Sequence, residues 1–245
     1  MNSIVLTTAT SGTEEVYRFS YKLTNPMTVK DSLVCLSNLT LYYTWRNIKA
    51  SYNNNTFSYA RNSEIFTFNI PDGSYSVRDI NNYIHFVMRN NNHENTDGSY
   101  DINVYANYVY NRVTLSVSTD YQVNKSTLMN TLGFDDTQLP VSNDEIHAKL
   151  MAKMERVDSV LVHCNIVQNQ YQQDSSLIYS FTPNASYGSL LHVAPNFPQW
   201  REARKNAEVT SIDVWFTDQR YRPLEIEDSV LVELQLVSKD LIRGI

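Results

Sequence analysis

The amino-acid sequence predicts an all-β fold of about eight to ten strands, with one or two short helices in the connections between them. Three observations carry that prediction. Apolar and polar residues alternate at period two through much of the 245-residue chain, most plainly over 209–237. Tyr, a strand-favouring residue, occurs 17 times. Breaks bearing Asn, Pro or Gly cut the alternating runs into short lengths.

In chain order, residues 1–13 are Ser/Thr-rich and aperiodic and read as a flexible N-terminal arm, which leaves 14–245 as one domain. The first strand sets Tyr17, Phe19, Tyr21 and Leu23 against Arg18, Ser20 and Lys22, until Asn25-Pro26 breaks it. A long run over 33–45 holds Leu33, Cys35, Leu39, Leu41, Tyr43 and Trp45 on one parity, a length that suits a bent or bulged strand. Residues 47–55 are a loop by composition, a short strand follows near 64–70, and Pro71-Asp72-Gly73 is a turn. Over 76–88 the period changes. Val77, Ile80, Ile84, Val87 and Met88 recur at three- and four-residue intervals, and Ser76 with Asp79 makes a capping-box pair at a helix start.

Strands resume over 100–106 and 112–119. A second, short helix has Ser126 as its cap, Leu128, Met129 and Leu132 as its apolar side, and Gly133 as its stop. Residues 135–144 read as loop, and 145–155 as either helix or extended connection. Over 157–167 both parities are apolar, as in a strand buried on both faces. Short strands cover 177–181 and 190–193, and 200–207 is a connection. The closing pair, with Ile212, Val214 and Phe216 in one run and Val230, Val232, Leu234 and Leu236 in the other, is separated by the polar crossing 217–228. That crossing is too long for a two-residue turn. Strands of this number and length make a sandwich or a barrel, and eight of them suffice for a jelly roll.

Several function classes fit poorly. A net charge of −6 argues against a basic patch for nucleic acid. No run approaches the ~20 apolar residues of a membrane span, and residues 1–8 lack the basic segment and apolar core of a signal peptide. Cys35 and Cys164 sit in apolar runs and read as small core residues. The five histidines show no metal-ligand spacing. His163 and Cys164 are strand neighbours that point to opposite faces, so they do not serve one nucleophilic site. Six glycines leave little room for a phosphate-cradling loop. The acidic sets Asp135-Asp136 and Glu225, Glu227, Asp228 read as solvated loop surface. No catalytic residue, cofactor or metal site is therefore expected. What remains are contact surfaces: the crossing, with Asp218, Arg220, Tyr221 and Arg222, and an aromatic surface at Trp200.

The order of features carries a resemblance. A Leu-rich strand ends in Tyr42-Tyr43-Thr44-Trp45-Arg46-Asn47-Ile48, and Tyr52-Asn53-Asn54-Asn55-Thr56-Phe57 follows. Pro71-Asp72-Gly73-Ser74-Tyr75 then leads into the helix at Asp79-Ile80-Asn81, with Leu132-Gly133-Phe134 and the run from Val157 to Cys164 further on. Over about 33–237 this resembles the minor capsid (penton) proteins of Polinton/Maverick elements, adintoviruses and virophages. The resemblance implies a single jelly-roll β-sandwich that forms a homopentamer at the fivefold vertices of an icosahedral virion. Its implied partner is a major capsid protein of double jelly-roll type, for which this chain is too short. The Arg-Gly-Asp triplet of some adenovirus pentons is absent from the sequence, and the chain is short for a large inserted upper domain. The competing reading is a trimeric spike or a lectin-like, receptor- or carbohydrate-binding β-sandwich, resting on the aromatic loops near Trp200 and Trp215.

Overall fold

The computed structural model describes residues 2–8, 17–154, 157–168, 174–204 and 208–242. Alternation of apolar and polar side chains gives β1 (Asn2–Thr8), β2 (Arg18–Thr28), β3 (Ser32–Tyr42), β4 (Thr56–Arg61) and β5 (Glu64–Asn69). Helix α1 (Val77–Asn90) precedes β6 (Ile102–Asn107) and β7 (Arg112–Val123), and α2 (Thr127–Thr131) precedes β8 (Val141–His147). Then come β9 (Val160–Cys164), β10 (Leu177–Phe181), β11 (Leu190–Val193), β12 (Arg201–Glu202), β13 (Glu208–Asp218) and β14 (Val230–Ser238). The chain divides into two compact units. One is Met1–Trp45 with Val157–Ile245, and the other is Arg46–Arg156, inserted between β3 and β9. A single domain over 14–245 was the sequence expectation. The structure differs because the buried side chains gather into two separate cores, one per unit.

In the first unit the pairing orders are β1-β14-β3-β11 and β10-β9-β13-β2, all antiparallel, with β12 also paired to β3. Two four-stranded sheets in this order are a jelly roll. The two closing strands face each other rather than pair: β14 lies between β1 and β3, and β13 between β9 and β2. Leu36, Leu39 and Leu41 of β3, Val160 and Val162 of β9, Ile212, Val214 and Phe216 of β13, and Val232 and Leu234 of β14 share one core. Phe19 and Phe216 meet edge to face there, 6.0 Å apart. Cys164 belongs to this core and Cys35 is likewise buried and free; burial pushes both thiols up, Cys164 to about 12.

Two expectations need correction in this unit. Asn2–Thr8 is a strand rather than a flexible arm, its full length in register with β14 from Asn2↔Leu236 to Thr8↔Val230. Ile-Val-Leu at its centre supplies the β preference that the Ser/Thr-rich context masked. The remainder of the expected arm, 9–13, lies outside the described residues. Strand β2 continues through Asn25-Pro26 because Pro26 falls where the β13 register shifts, between the pairs Lys22↔Ser211 and Met27↔Val209. A proline, with no N–H to donate, is tolerated at such a break.

The inserted unit has the sheet order β5-β4-β7-β6, with β8 also on β7. The chain reads as short for a large inserted upper domain, yet Arg46–Arg156 forms an inserted unit, which supplies the strands beyond the expected eight to ten. Helix α1 starts as its capping box requires: Ser76 Oγ accepts from Asp79 N at 3.2 Å, and Asp79 Oδ2 accepts from Ser76 N at 2.9 Å. Its Ile80, Ile84 and Met88 are buried with Phe57, Tyr59, Leu115 and Val123. Strands β4 and β5 form a hairpin that composition hid, turned by Asn62 (φ 49°) and Ser63 (φ 69°), both left-handed as a two-residue hairpin demands. Residues 141–147, expected as loop running into helix or extended chain, form β8 against β7.

Helix α2 differs in its cap. Ser126 makes no side-chain cap bond. Gly133 ends it as expected, and for a reason beyond its φ of +95°: a Cβ there would lie 2.3 Å from the Leu150 carbonyl oxygen. That close approach lets Leu150 N donate to Gly133 O at 3.0 Å and Lys153 N donate to Thr131 O at 2.6 Å.

Two outcomes follow. Leu234→Asp buries a carboxylate in the shared core and removes soluble protein, whereas Val5→Asp, at a position 55% exposed on β1, leaves yield unchanged; expression and size-exclusion profiles check both. Gly133→Ala lowers stability by about 2 kcal/mol or more in urea unfolding, since left-handed strain adds to a clash with fixed backbone.

Candidate partner-contact surface

Strand β13 ends at Asp218, which is only 3% exposed. A carboxylate so placed must be satisfied, and the next four residues satisfy it. Arg220 N donates to Oδ1 at 2.8 Å and Arg222 N at 3.0 Å, while the Arg222 guanidinium reaches Oδ2 through Nε at 2.7 Å and Nη2 at 2.6 Å. The backbone turns through Tyr221 at φ 61° and doubles back, with Asp218 N donating to Arg222 O and Leu224 N to Phe216 O. Leu224 and Ile226 then return to the core, and Glu227 N donates to Thr44 Oγ1 at 3.1 Å. Gln219 Oε1 accepts from Asp158 N at 3.2 Å, tying the turn to the approach to β9.

The four residues read from the sequence as a contact loop therefore split by task. Asp218 and Arg222 hold the loop's shape. Arg220 is exposed, and Tyr221 is half-buried with its ring 6.2 Å from that of His163.

His163 is the feature sequence reasoning undervalued. It is fully buried, its Nε2 2.9 Å from Thr217 Oγ1 and its Nδ1 3.2 Å from Ser176 Oγ and 3.3 Å from Asp174 Oδ2. Its ring stacks on Trp215 at 5.3 Å, and the Arg18 guanidinium lies over the same indole, 4.9 Å from its centroid, while bonding Asp213 at 2.8 Å. Burial pushes the His163 pKa down, partly offset by the Asp174 charge. For Asp213, burial opposes ionisation, but the Arg18 and Ser20 hydrogen bonds and the Arg18 charge outweigh it and hold the carboxyl below its ordinary value. A histidine in a strand apolar on both parities was the available signal, since such a residue needs buried polar partners.

Trp200 is half-buried beside Phe197, which is 81% exposed. It immediately precedes Arg201, paired to Val34 near the start of β3, whereas the 217–228 crossing leads into Leu231, paired to Thr40 near the end of β3. The two candidate surfaces lie at opposite ends of the sandwich and do not form one site. Cys164 lies in the core and His163 in the polar node, so they do not share a site either. Asp135 accepts from Thr137 N at 2.8 Å and pairs with Lys149 at 3.3 Å, which makes it a loop staple. Among the described residues no three His, Cys, Asp or Glu side chains converge as a metal would require.

No family model matches this chain, and no curated protein matches it. Among solved structures, the crystal structure of the mavirus penton protein is similar at a TM-score of 0.47 and 10% identity, over 97% of this chain and 100% of that one.

The buried histidine gives a pH dependence of fixed sign. Its folded pKa lies below the ordinary 6.5, so the unfolded chain binds the extra proton. This contribution is fully present above pH 6.5 and is lost as pH falls from there through the folded value, at no more than about 1.4 kcal/mol per pH unit. Thermal midpoints measured from pH 7.5 to 5 drop for wild type and drop less for His163→Gln.

Proposed function

We propose that this chain is a penton-type minor capsid protein, assembling as a homopentamer at the fivefold vertices of an icosahedral virion and contacting a major capsid protein of double jelly-roll type. The observation that carries the reading is the strand order β1-β14-β3-β11 over β10-β9-β13-β2, the two-sheet jelly roll used by viral capsid domains. The quoted motifs over 33–237 support it independently. The described residues hold one jelly roll, where a double jelly-roll subunit requires two.

Surface chemistry accords with repeated contacts. Phe197 is 81% exposed in the sandwich unit, and Tyr108 and Val109 are each 86% exposed at the β6–β7 hairpin tip of the inserted unit. Large exposed apolar side chains on loops are what subunit interfaces cover. In this reading Arg220 and Tyr221 contact a neighbour at one end of the sandwich, on a loop shaped by Asp218 and Arg222, and the Phe197–Trp200 segment contacts one at the other end.

Native mass spectrometry tests the assembly. The expected species has five times the 28.3 kDa chain mass, and Phe197→Ser or Arg220→Glu lowers its fraction without shifting the thermal midpoint. A stable trimer as the sole oligomer overturns the reading in favour of a spike.

A further inference from the structure

The inserted unit carries an open cavity of about 320 Å³ that the vertex reading leaves unused, lined by Tyr52, Asn53, Asn54, Thr127, Asn130, Thr131 and Lys153. Its walls are fixed by hydrogen bonds. In the loop wall, Asn54 accepts from Lys49 N at 2.9 Å and donates to Asn47 O at 2.9 Å, and Asn53, left-handed at φ 52°, closes the short 3-10 turn Ala50–Tyr52. In the helix wall, Thr127 Oγ1 accepts from Thr56 N at 3.1 Å and Thr131 Oγ1 donates to Thr127 O at 3.0 Å. The third wall is set by Lys153 N on Thr131 O, the approach that Gly133 permits.

Against this rigid frame the side-chain amides of Asn53 and Asn130 and the ammonium of Lys153 have no hydrogen-bond or ion-pair partner among the described residues, and all three residues are exposed. The Tyr52 side chain, with the residue 45% exposed, stands beside them. Among the described residues no carboxylate lines the cavity, although the chain as a whole carries a net charge of −6.

Amides that donate and accept, threonine hydroxyls and an exposed tyrosine ring are the complement of a sugar's hydroxyls and its apolar face. A single ammonium adds a seat for one negative charge, too little for a polyphosphate. We infer that this cavity binds an acidic saccharide, with Lys153 on the anionic group and Asn53 and Asn130 on ring hydroxyls. The carbohydrate reading that the sequence attached to Trp200 moves to the inserted unit, and it holds independently of the oligomeric state.

The test is isothermal titration of the full chain with 3′-sialyllactose, 3′-sulfated lactose and unmodified lactose. The expected result is binding of at least one acidic saccharide, weakened about tenfold or more in Lys153→Ala and in Asn130→Ala and unchanged in Trp200→Ala. The responding ligand tells whether the anionic group is a carboxylate or a sulfate. Both cavity positions are exposed, so unchanged thermal midpoints keep the comparison valid, and Lys153→Glu at the same position weakens binding further. Lactose bound as tightly as sialyllactose, acidic binding that survives both cavity substitutions, or no acidic binding at millimolar ligand overturns the inference.

Discussion

The first unit depends on one constraint: β13 and β14 are consecutive in sequence yet must bury their apolar parity from opposite sides of a shared core. Val232 and Leu234 of β14 belong to the same apolar cluster as Val214 and Phe216 of β13, and this is possible only if the strands belong to facing sheets. A hairpin between them would have placed both apolar faces on one sheet and left the other without its third strand. With β14 seated between β1 and β3, each of its backbone edges is paired, and the chain has to traverse the end of the sandwich to reach it.

That traverse explains the polar chemistry around it. The crossing satisfies only part of its backbone by folding back on the end of β13, so side chains do the rest. Asp218 takes two backbone N–H groups and the Arg222 guanidinium, and Gln219 takes the amide of Asp158. Next to Asp218 in β13 the Thr217 hydroxyl meets His163, whose ring also reaches the Ser176 hydroxyl and stacks on Trp215. Deleting one member of such a network leaves a buried group unpaired and costs more than the net worth of the bond itself.

Much of this was legible in the sequence where the signal is local. The capping box of Ser76 and Asp79, the alternation of Leu177–Phe181 and Leu190–Val193, and the closing strands all lie within a few residues of their own evidence. What escaped is non-local. Nothing near Ser3 announces a partner 230 residues away at Glu233, and Pro26 ends a strand only if its partner does not shift register. The boundary at Trp45 and Arg46 carries no change of composition, because what separates the units is which side chains pack together. The crossing was readable as polar and exposed, but not the inward turn of Asp218, which depends on where β13 stops. The cavity residues come from three separate segments, and only the fold brings them together.

A jelly roll leaves little of its sheet surface free for specific recognition, so specificity falls to the connections. In a symmetric assembly each such connection is used once per subunit, and any entropy lost in ordering it is lost at every copy. A loop already held by a buried carboxylate and its neighbouring guanidinium gives up little on docking, and Arg220 is carried on a fixed base. The cavity at Lys153 follows the same logic: Gly133, Thr127 and Asn54 spend their hydrogen bonds and close contacts on the frame, so that Asn53, Asn130 and Lys153 need not. In both places residues that set geometry stand beside residues left open to solvent: Asp218 and Asn54 are buried, while Arg220, Asn53, Asn130 and Lys153 are exposed.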